Sequence, residues 1–157
     1  MAWGTVVKCA WSDKFRVPTA AELREGLAPP SRAVLDEARR RLGDLPGVAE
    51  SLVWQGVPWR WTFVYADQEH GDARATAYLI PDPQRLQVCV PLNQEQIEQF
   101  PLKRMKNPIR DGIVYARNVG GVWWPTWEIP TSGALGEVLD LLSRKMKVVA
   151  AGQPVEA

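Results

Sequence analysis

Apolar and polar residues alternate in the segment 52–65, LVWQGVPWRWTFVY, which holds three of the eight tryptophans of the chain. From Val57 onward, this two-residue period is typical of a β-strand with one buried face. Gly56 and Pro58 predict a sharp turn at its start, because glycine accepts a positive φ and proline favours an extended residue before it. The predicted buried face carries Val57, Trp59, Trp61, Phe63 and Tyr65.

Three further strands are predicted downstream. The polar loop DQEHGD leads into an alternating run over residues 73–80, and the turn PDPQ leads into RLQVCVP. Such short connections indicate an antiparallel meander. The later segment VWWPTWEI is predicted as a strand at a sheet edge or a bulge, because Pro125 has no N–H to donate to a central ladder.

Helical patterns precede and follow these strands. Thr19 and Glu22 have the spacing of a capping box, so a short helix is predicted to begin there. A second helix is predicted for residues 31–42, and another from Asn107 to the glycine pair in RNVGG. A closing helix carries apolar residues at helical spacing, namely Leu135, Leu139, Leu142 and Met146.

Together these elements predict an α+β fold, in which helices pack on an antiparallel sheet of about four strands, a three-strand meander plus one later strand. Residues 18–149 form one predicted domain, since 157 residues of 46% hydrophobic composition suit a single core. Residues 1–17 are predicted as an extended arm or edge strand, and residues 150–157 as a flexible tail.

Charge and composition exclude several classes of protein. A net charge of +1 gives no global attraction to nucleic acid or to an anionic membrane, so neither partner is expected. No apolar run approaches the ~20 residues that span a bilayer, and the first residues lack the pattern of a signal peptide. Because Cys9 and Cys89 are far apart, the sequence predicts a cytoplasmic protein without a structural zinc site.

Two short motifs resemble families of small bacterial domains. VWQGVPW is similar to the glycine-x-proline-aromatic turn and strand of the YdhG-type family, in which this run follows two helices. WEIPTSGALGEVLDLLSRKMKVV resembles the tryptophan-containing strand and leucine-rich closing helix of a related family of unknown function. The resemblance covers about residues 19–149. Some YdhG-type members are proposed as frataxin-like iron chaperones, which implies iron binding, but no matching ligand motif is present.

Tryptophans from two predicted strands form the main candidate binding site. If these strands are neighbours, the rings line an apolar pocket in which Arg60 or Glu128 orients a ligand. Core packing is the competing explanation, because a sheet covered by helices needs bulky apolar residues on one face. The six tryptophans are Trp54, Trp59, Trp61, Trp123, Trp124 and Trp127.

A cluster of cations is the second candidate feature. Lys103, Arg104, Lys106 and Arg110 lie before and within the first turn of the helix predicted from Asn107. Free N–H groups of a helix start, together with nearby cations, can hold an anion. Arg104 and Arg110 are therefore predicted to assist ligand binding, and a solvated helix surface is the ordinary alternative.

Metal and catalytic chemistry have weaker candidates. Asp111 or Glu128 could serve a carboxylate enzyme if burial raises a carboxyl pKa. No phosphate-binding glycine loop and no nucleophile with an adjacent base is present, so no cofactor is expected. One predicted loop offers metal ligands without a recognised spacing, namely Asp67, Glu69, His70 and Asp72.

The sequence thus favours a non-enzymatic cytoplasmic domain that binds a small ligand or a protein segment on a tryptophan-rich sheet face. An iron-binding, chaperone-like protein and a carboxylate-dependent enzyme are the alternatives. The oligomeric state is left open.

Overall fold

The computed structural model describes residues 9–67 and 75–152. This part of the chain contains the helices α1 (Ala20–Glu25), α2 (Pro29–Gly43), α3 (Gln94–Glu98), α4 (Asn107–Val114) and α5 (Ser132–Gly152). Its strands are β1 (Val48–Trp54), β2 (Trp61–Asp67), β3 (Ala75–Pro81), β4 (Leu86–Cys89), β5 (Leu92–Asn93), β6 (Asn118–Val119), β7 (Val122–Trp123) and β8 (Thr126–Glu128). Short 3₁₀ turns occupy Ala10–Ser12 and Leu102–Arg104.

The main sheet is antiparallel, with the strand order β1-β2-β3-β4-β8. A small second sheet has the order β5-β7-β6. The predicted α+β class is confirmed, and the main sheet has five strands where about four are predicted. Among the described helices, none combines the length and the apolar character needed to cross a bilayer.

The strand that the sequence prediction lacks is β1. Its seven residues pair with the whole length of β2. Because β1 is an edge strand, Glu50, Ser51 and Val53 remain exposed, and the segment lacks the alternation of a strand with a buried face. The run LVWQGVPWRWTFVY therefore covers the end of one strand, a hairpin turn and the start of the next strand.

The pairing register assigns every strand residue to one of two sheet faces, since directly opposed residues share a face. The face that packs against helices, here called the helix face, carries Leu52, Trp54, Trp61, Phe63, Tyr65, Leu79, Val88 and Trp127. The other face, here called the aromatic face, carries Ser51, Val53, Thr62, Val64, Tyr78, Cys89 and Thr126.

Strand β2 is buried on both faces, although the sequence predicts one buried face. Trp61, Phe63 and Tyr65 lie on the helix face as predicted. Thr62 and Val64, which alternation predicts to be solvated, are only 0% and 9% exposed. The aromatic face must therefore be covered as well.

Helices α1, α2 and α5 confirm their sequence signals. The capping box is present at α1, where the Thr19 side chain accepts from the Glu22 N–H and the Glu22 carboxylate accepts from the Thr19 N–H. The apolar stripe predicted for α5 is buried in the core with the helix face, and so is an apolar stripe of α2. These residues are Leu35, Ala38 and Leu42 of α2 and Leu135, Leu139 and Leu142 of α5.

The helix predicted from Asn107 is shorter than expected. It ends at Val114, and the glycine pair belongs instead to the turn between β6 and β7. Gly120 and Gly121 have φ values of 60° and 86°. Two successive positive φ values are typical of the two-residue turns that join antiparallel strands, which explains why the prediction of a helix stop is wrong.

Gly112 allows α4 to approach β8 closely. A Cβ added at this position would lie 2.6 Å from Cε2 and 2.8 Å from Cδ1 of the Trp127 indole. That indole is held in place, because its Nε1 donates to the Pro108 carbonyl at 3.2 Å.

We expect Gly112→Ala to lower the free energy of unfolding by about 1–3 kcal/mol, because the added methyl group overpacks the contact between α4 and Trp127. Chemical denaturation measures this change. The matched control is Gly136→Ala in α5, where no atom lies within 4 Å of the added Cβ. Alanine is the better helix former, so the control should gain about 0.5–1 kcal/mol. Equal effects of the two substitutions would contradict the packing described here.

Candidate functional site

The six candidate tryptophans do not line one common site. Trp54 and Trp61 meet on the helix face, with ring centroids 5.6 Å apart. Trp127 is buried on the same face, 7% exposed. For these three rings, core packing is the correct interpretation.

Trp59 and Trp124 form a cluster with Tyr78 that is only partly buried, here called the aromatic cluster. The ring centroids of Trp59 and Tyr78 lie 5.0 Å apart, those of Tyr78 and Trp124 lie 5.8 Å apart, and those of the two tryptophans lie 6.2 Å apart. The rings come from the β1–β2 hairpin, from β3 and from the connection between β7 and β8. They lie on the aromatic face, where Tyr78 pairs with Val64 and Cys89.

The backbone of Arg60 separates Trp59 from Trp61. Arg60 has a φ of 57°, a left-handed value that is uncommon for a residue with a Cβ. Alternation breaks at this residue, so Trp59 contacts Tyr78 on the aromatic face while Trp61 contacts Trp54 on the helix face. The prediction that Trp59 and Trp61 share one face is wrong for this reason.

Arg60 itself points neither to the aromatic cluster nor to the predicted ligand pocket. Its guanidinium carbon lies 5.0 Å from the Trp11 ring centroid, and its Nη1 donates to Ser12 Oγ. The expectation that Glu128 orients a ligand there also lacks support, because Glu128 is exposed and lies 3.7 Å from Arg85.

A recess of about 500 Å³ adjoins the Arg60 and Trp11 side chains, here called the Arg60 recess. Arg60 Nε and Trp11 Nε1 are buried N–H donors that find no acceptor among the described residues. Each such donor costs about 1–3 kcal/mol relative to a hydrogen-bonded one. The left-handed backbone at Arg60 adds about 1–3 kcal/mol of strain. Other residues that line the recess include Ser12, Pro58, Asp82 and Pro83.

Trp123 belongs to the small sheet, where it pairs with Leu92 and Asn118. It is partly buried against the core, and its Nε1 is another buried donor without an acceptor in the described residues. The structure places it next in sequence to Trp124 but outside the three-ring contact.

The predicted cation cluster is partly neutralised and lies apart from the aromatic cluster. Lys106 Nζ lies 2.9 Å from Glu137 Oε1, and Arg110 donates to Asn107 Oδ1 at 2.6 Å. Arg104 and Lys106 line a groove of about 390 Å³ between α4 and α5. The residues that line the groove include no tryptophan, and Arg110 does not line it, so no contact between these arginines and the aromatic cluster is found within the described residues.

Cys89 lies on the aromatic face, directly opposite Tyr78. It is 0% exposed, as is typical of a small apolar residue in a central strand. Burial raises the pKa of its thiol to about 12, so the reactive thiolate is scarce at neutral pH. Cys9 is exposed, and both cysteines are free thiols.

The outer edge of β1 is the second exposed feature next to the aromatic cluster. The Gln55 N–H donates to the Arg60 carbonyl at 2.8 Å, and from this bond the antiparallel pattern alternates back along β1. The backbone groups of Glu50, Leu52 and Trp54 therefore point away from β2. Among the described residues, these outward groups have no backbone partner.

A charged recess of about 480 Å³ lies between α2 and the edge of β1. Arg39 Nη2 lies 2.6 Å from Glu50 Oε1, and the Tyr65 hydroxyl donates to Glu50 Oε2 at 2.6 Å. Burial raises the pKa of Glu50, but the hydrogen bonds from Arg39 and Tyr65 outweigh it and lower the pKa overall. Two other lining residues, Arg40 and Asp44, form no ion pair within the described part of the chain.

The described residues do not form a site for either alternative function, metal binding or carboxylate-dependent catalysis. Asp111 is exposed beside Arg110, 3.8 Å from its Nε. No group of three or more His, Cys, Asp or Glu side chains in residues 9–67 and 75–152 is arranged to hold a metal ion. Glu69, His70 and Asp72 lie outside the described residues, so the predicted metal loop stays untested.

Comparison with known proteins gives no family assignment. No protein-family model matches the sequence, and no curated protein matches it. The resemblance to the YdhG-type family therefore stays a prediction.

Sequence reasoning missed Tyr78 and Trp11. The sequence contained a pattern that could have identified Tyr78. It lies on the face of β3 opposite to Ala77 and Leu79, and an aromatic residue there indicates a second apolar face. No sequence pattern identifies Trp11, because its segment follows no clear period and its partner Arg60 is 49 residues away in the sequence.

We expect Glu50→Gln to lower the free energy of unfolding by about 0.5–1 kcal/mol at neutral pH, a discounted value because the Arg39 ion pair is partly solvated. The folded-state pKa of Glu50 is lowered, so its contribution is present above the unfolded pKa of about 4.3 and is lost as pH falls through the folded value. Denaturation at neutral and acidic pH measures this, with Glu25→Gln on the exposed surface of α1 as the control. A difference that persists in acid would contradict the assignment.

Proposed function

We propose that this protein is a non-enzymatic binding domain that receives an extended segment of a partner protein along β1 and on the adjoining aromatic face. The observation that carries the proposal is the outer edge of β1, seven residues long, whose outward backbone groups lack backbone partners in the described chain. Unpaired N–H and C=O groups of an edge strand are a template on which another strand can pair.

The other edge of the sheet supports this interpretation by contrast. Strand β8 has only three residues, and it lies between Pro125 and Pro130. Short strands and prolines protect an edge from pairing. Strand β1 contains no proline or lysine, and its one charged side chain, Glu50, is engaged by Arg39 and Tyr65.

The two sides of β1 define the chemistry of the partner segment. Side chains of a paired strand alternate between the faces of the sheet. On the aromatic face they would meet exposed Val53. The aromatic cluster includes Tyr78 of β3, two strands further into the sheet, so a part of the partner that continues beyond the paired strand would meet it. On the other side, the side chains of the paired strand would meet the charged recess, where Arg40 and Asp44 form no ion pair with the described residues. An extended segment with alternating apolar and charged residues fits both sides.

The geometry of the aromatic cluster favours a protein segment over a small ligand held between the rings. Centroids 5.0–6.2 Å apart place the three rings in mutual contact. No space for a further ring remains between them, so a partner can touch only their outer surface. An apolar side chain of a protein segment can make such a contact with the outer surface of the three rings.

We further propose a cytoplasmic location. Two free cysteines, one of them exposed, support a reducing compartment.

A peptide-display selection on the immobilised protein should enrich extended peptides with alternating apolar and charged residues. The test of the binding mode is Leu52→Pro, which removes one outward N–H of β1, measured by fluorescence anisotropy with the selected peptide. We expect at least about a tenfold loss of affinity. Leu52→Ala is the matched control, because it loses the same side chain and keeps the N–H.

The aromatic contact has its own pair of variants. Trp124→Ala should weaken the binding of the same peptide. Tyr115→Ala removes an aromatic ring that is 82% exposed on a different element, and it should leave the binding of the peptide unchanged. The proposal is wrong if Leu52→Pro binds as tightly as Leu52→Ala, or if no peptide is enriched.

A further inference from the structure

We propose that the segment received by β1 is the β1 strand of a second copy of this chain, so that two copies form a symmetric dimer through this edge. The inference rests on the proposed function, because it names the partner of the same edge. A two-fold axis perpendicular to the sheet would pass beside Leu52 and join the two five-stranded sheets into one antiparallel sheet.

The unpaired backbone groups of β1 fix the position of the axis. The outward groups without a backbone partner in the described chain belong to Glu50, Leu52 and Trp54. This set is symmetric about Leu52. A two-fold axis there pairs Leu52 with its own copy and Glu50 with Trp54 of the second copy. Every free N–H of one edge then meets a free carbonyl of the other.

Neighbouring registers are less favourable. Moving the axis one residue towards the start of β1 pairs Trp54 with Val48, whose N–H already donates to the Leu45 carbonyl at 3.3 Å. One carbonyl in each copy then lacks a donor. Moving the axis two residues places the two Glu50 carboxylates directly opposite each other, which is destabilising. Moving it the other way places Glu50 opposite the hairpin turn, beyond the end of β1. The register centred on Leu52 avoids all three faults.

The side chains of β1 are compatible with this register. On the aromatic face, exposed Val53 would lie opposite Ser51 of the second copy. On the other side of the sheet, the two Leu52 side chains would meet, and Glu50 would lie opposite Trp54. The Glu50 carboxylate keeps the ion pair with an arginine of its own chain. No pair of directly opposed residues brings like charges together.

The charged recess beside β1 also matches a second copy. Of its acidic residues, Glu50 and Asp36 are each held by an arginine of the same chain. The two lining residues without an ion pair in the described chain are Arg40 and Asp44, which have opposite signs. Two recesses that approach each other at the axis therefore do not add charges of one sign.

The other edge of the sheet limits the assembly to two copies. Strand β8 has three residues and lies between two prolines, so it offers little to a further strand. Pairing of β1 with β1 uses the same surface of both copies and leaves no second open edge of this length in the main sheet. The result is a closed dimer and not a filament.

Cysteine cross-linking tests the register. Ser51→Cys and Val53→Cys are each prepared in a Cys9→Ser background, which removes the exposed native thiol. Opposed Cα atoms of a pair without mutual hydrogen bonds lie about 4.5 Å apart, within reach of a disulfide, whereas diagonal positions lie about 7–8 Å apart. Positions 51 and 53 are opposed in this register, and each is diagonal to its own copy. On oxidation, the mixture of the two variants should cross-link at least about tenfold faster than either variant alone.

Sedimentation equilibrium measures the assembly itself. The unmodified chain should be a dimer at micromolar concentration. Leu52→Pro removes an N–H that points away from β2, so the fold should survive, as circular dichroism would show, while the dimer should dissociate at least about tenfold more readily. Leu52→Ala keeps this N–H and is the matched control, which should stay closer to the unmodified chain. The peptide selected for β1 should convert the dimer into monomers, because both use the same edge.

The outcomes separate this inference from the proposed function. A chain that stays monomeric from micromolar to millimolar concentration overturns the inference, and so does cross-linking that is equally fast in the mixture and in the separate variants. If such a monomer binds the selected peptide and Leu52→Pro weakens that binding, the proposed function stands and only the named partner is wrong. A dimer that Leu52→Pro and the peptide both leave unchanged uses another surface, which also contradicts the inference.

Discussion

Arg60 adopts its left-handed φ between two hydrogen bonds of the β1–β2 hairpin, one from its own N–H to the Gly56 carbonyl and one from the Gln55 N–H to its carbonyl. The arrangement of the aromatic residues depends on this one backbone conformation. Trp59 before it reaches the aromatic face, whereas Trp61 after it enters the core on the helix face. The Arg60 side chain itself leaves both faces and stacks on Trp11.

Because Trp59 and Trp61 lie on different faces of the sheet, these two neighbouring tryptophans have different structural roles. Trp61 contributes to a core that α2 and α5 complete, and its Nε1 is satisfied by the Asp13 carbonyl at 2.7 Å. The Trp59 carbonyl accepts from the Thr62 hydroxyl, and the partly exposed Trp59 ring meets Tyr78. Trp59, Tyr78 and Trp124 thus cover part of the aromatic face with rings that stay partly exposed, which leaves a contact surface beside the edge strand.

Local patterns were sufficient to predict the elements that depend only on local physics. The capping box of α1, the apolar stripes of α2 and α5, and the alternation of Trp61, Phe63 and Tyr65 all arise from the period of one helix or strand. The edge strand β1 has no such pattern because much of it is exposed. The face of Trp59 depends on a single φ, and arginine carries no signal for a left-handed residue, unlike glycine or asparagine. The stacking of Arg60 on a distant tryptophan is likewise a tertiary property.

The most direct test of this account is the set of nuclear Overhauser contacts made by the Trp59 ring in the free protein. The account predicts contacts with the rings of Tyr78 and Trp124, and none with Trp54 or Phe63 on the helix face. Contacts of Trp59 with Trp54 or Phe63, without those to Tyr78 and Trp124, would contradict it. In that case Arg60 would not divide the tryptophans, and the aromatic cluster would not exist as a binding surface.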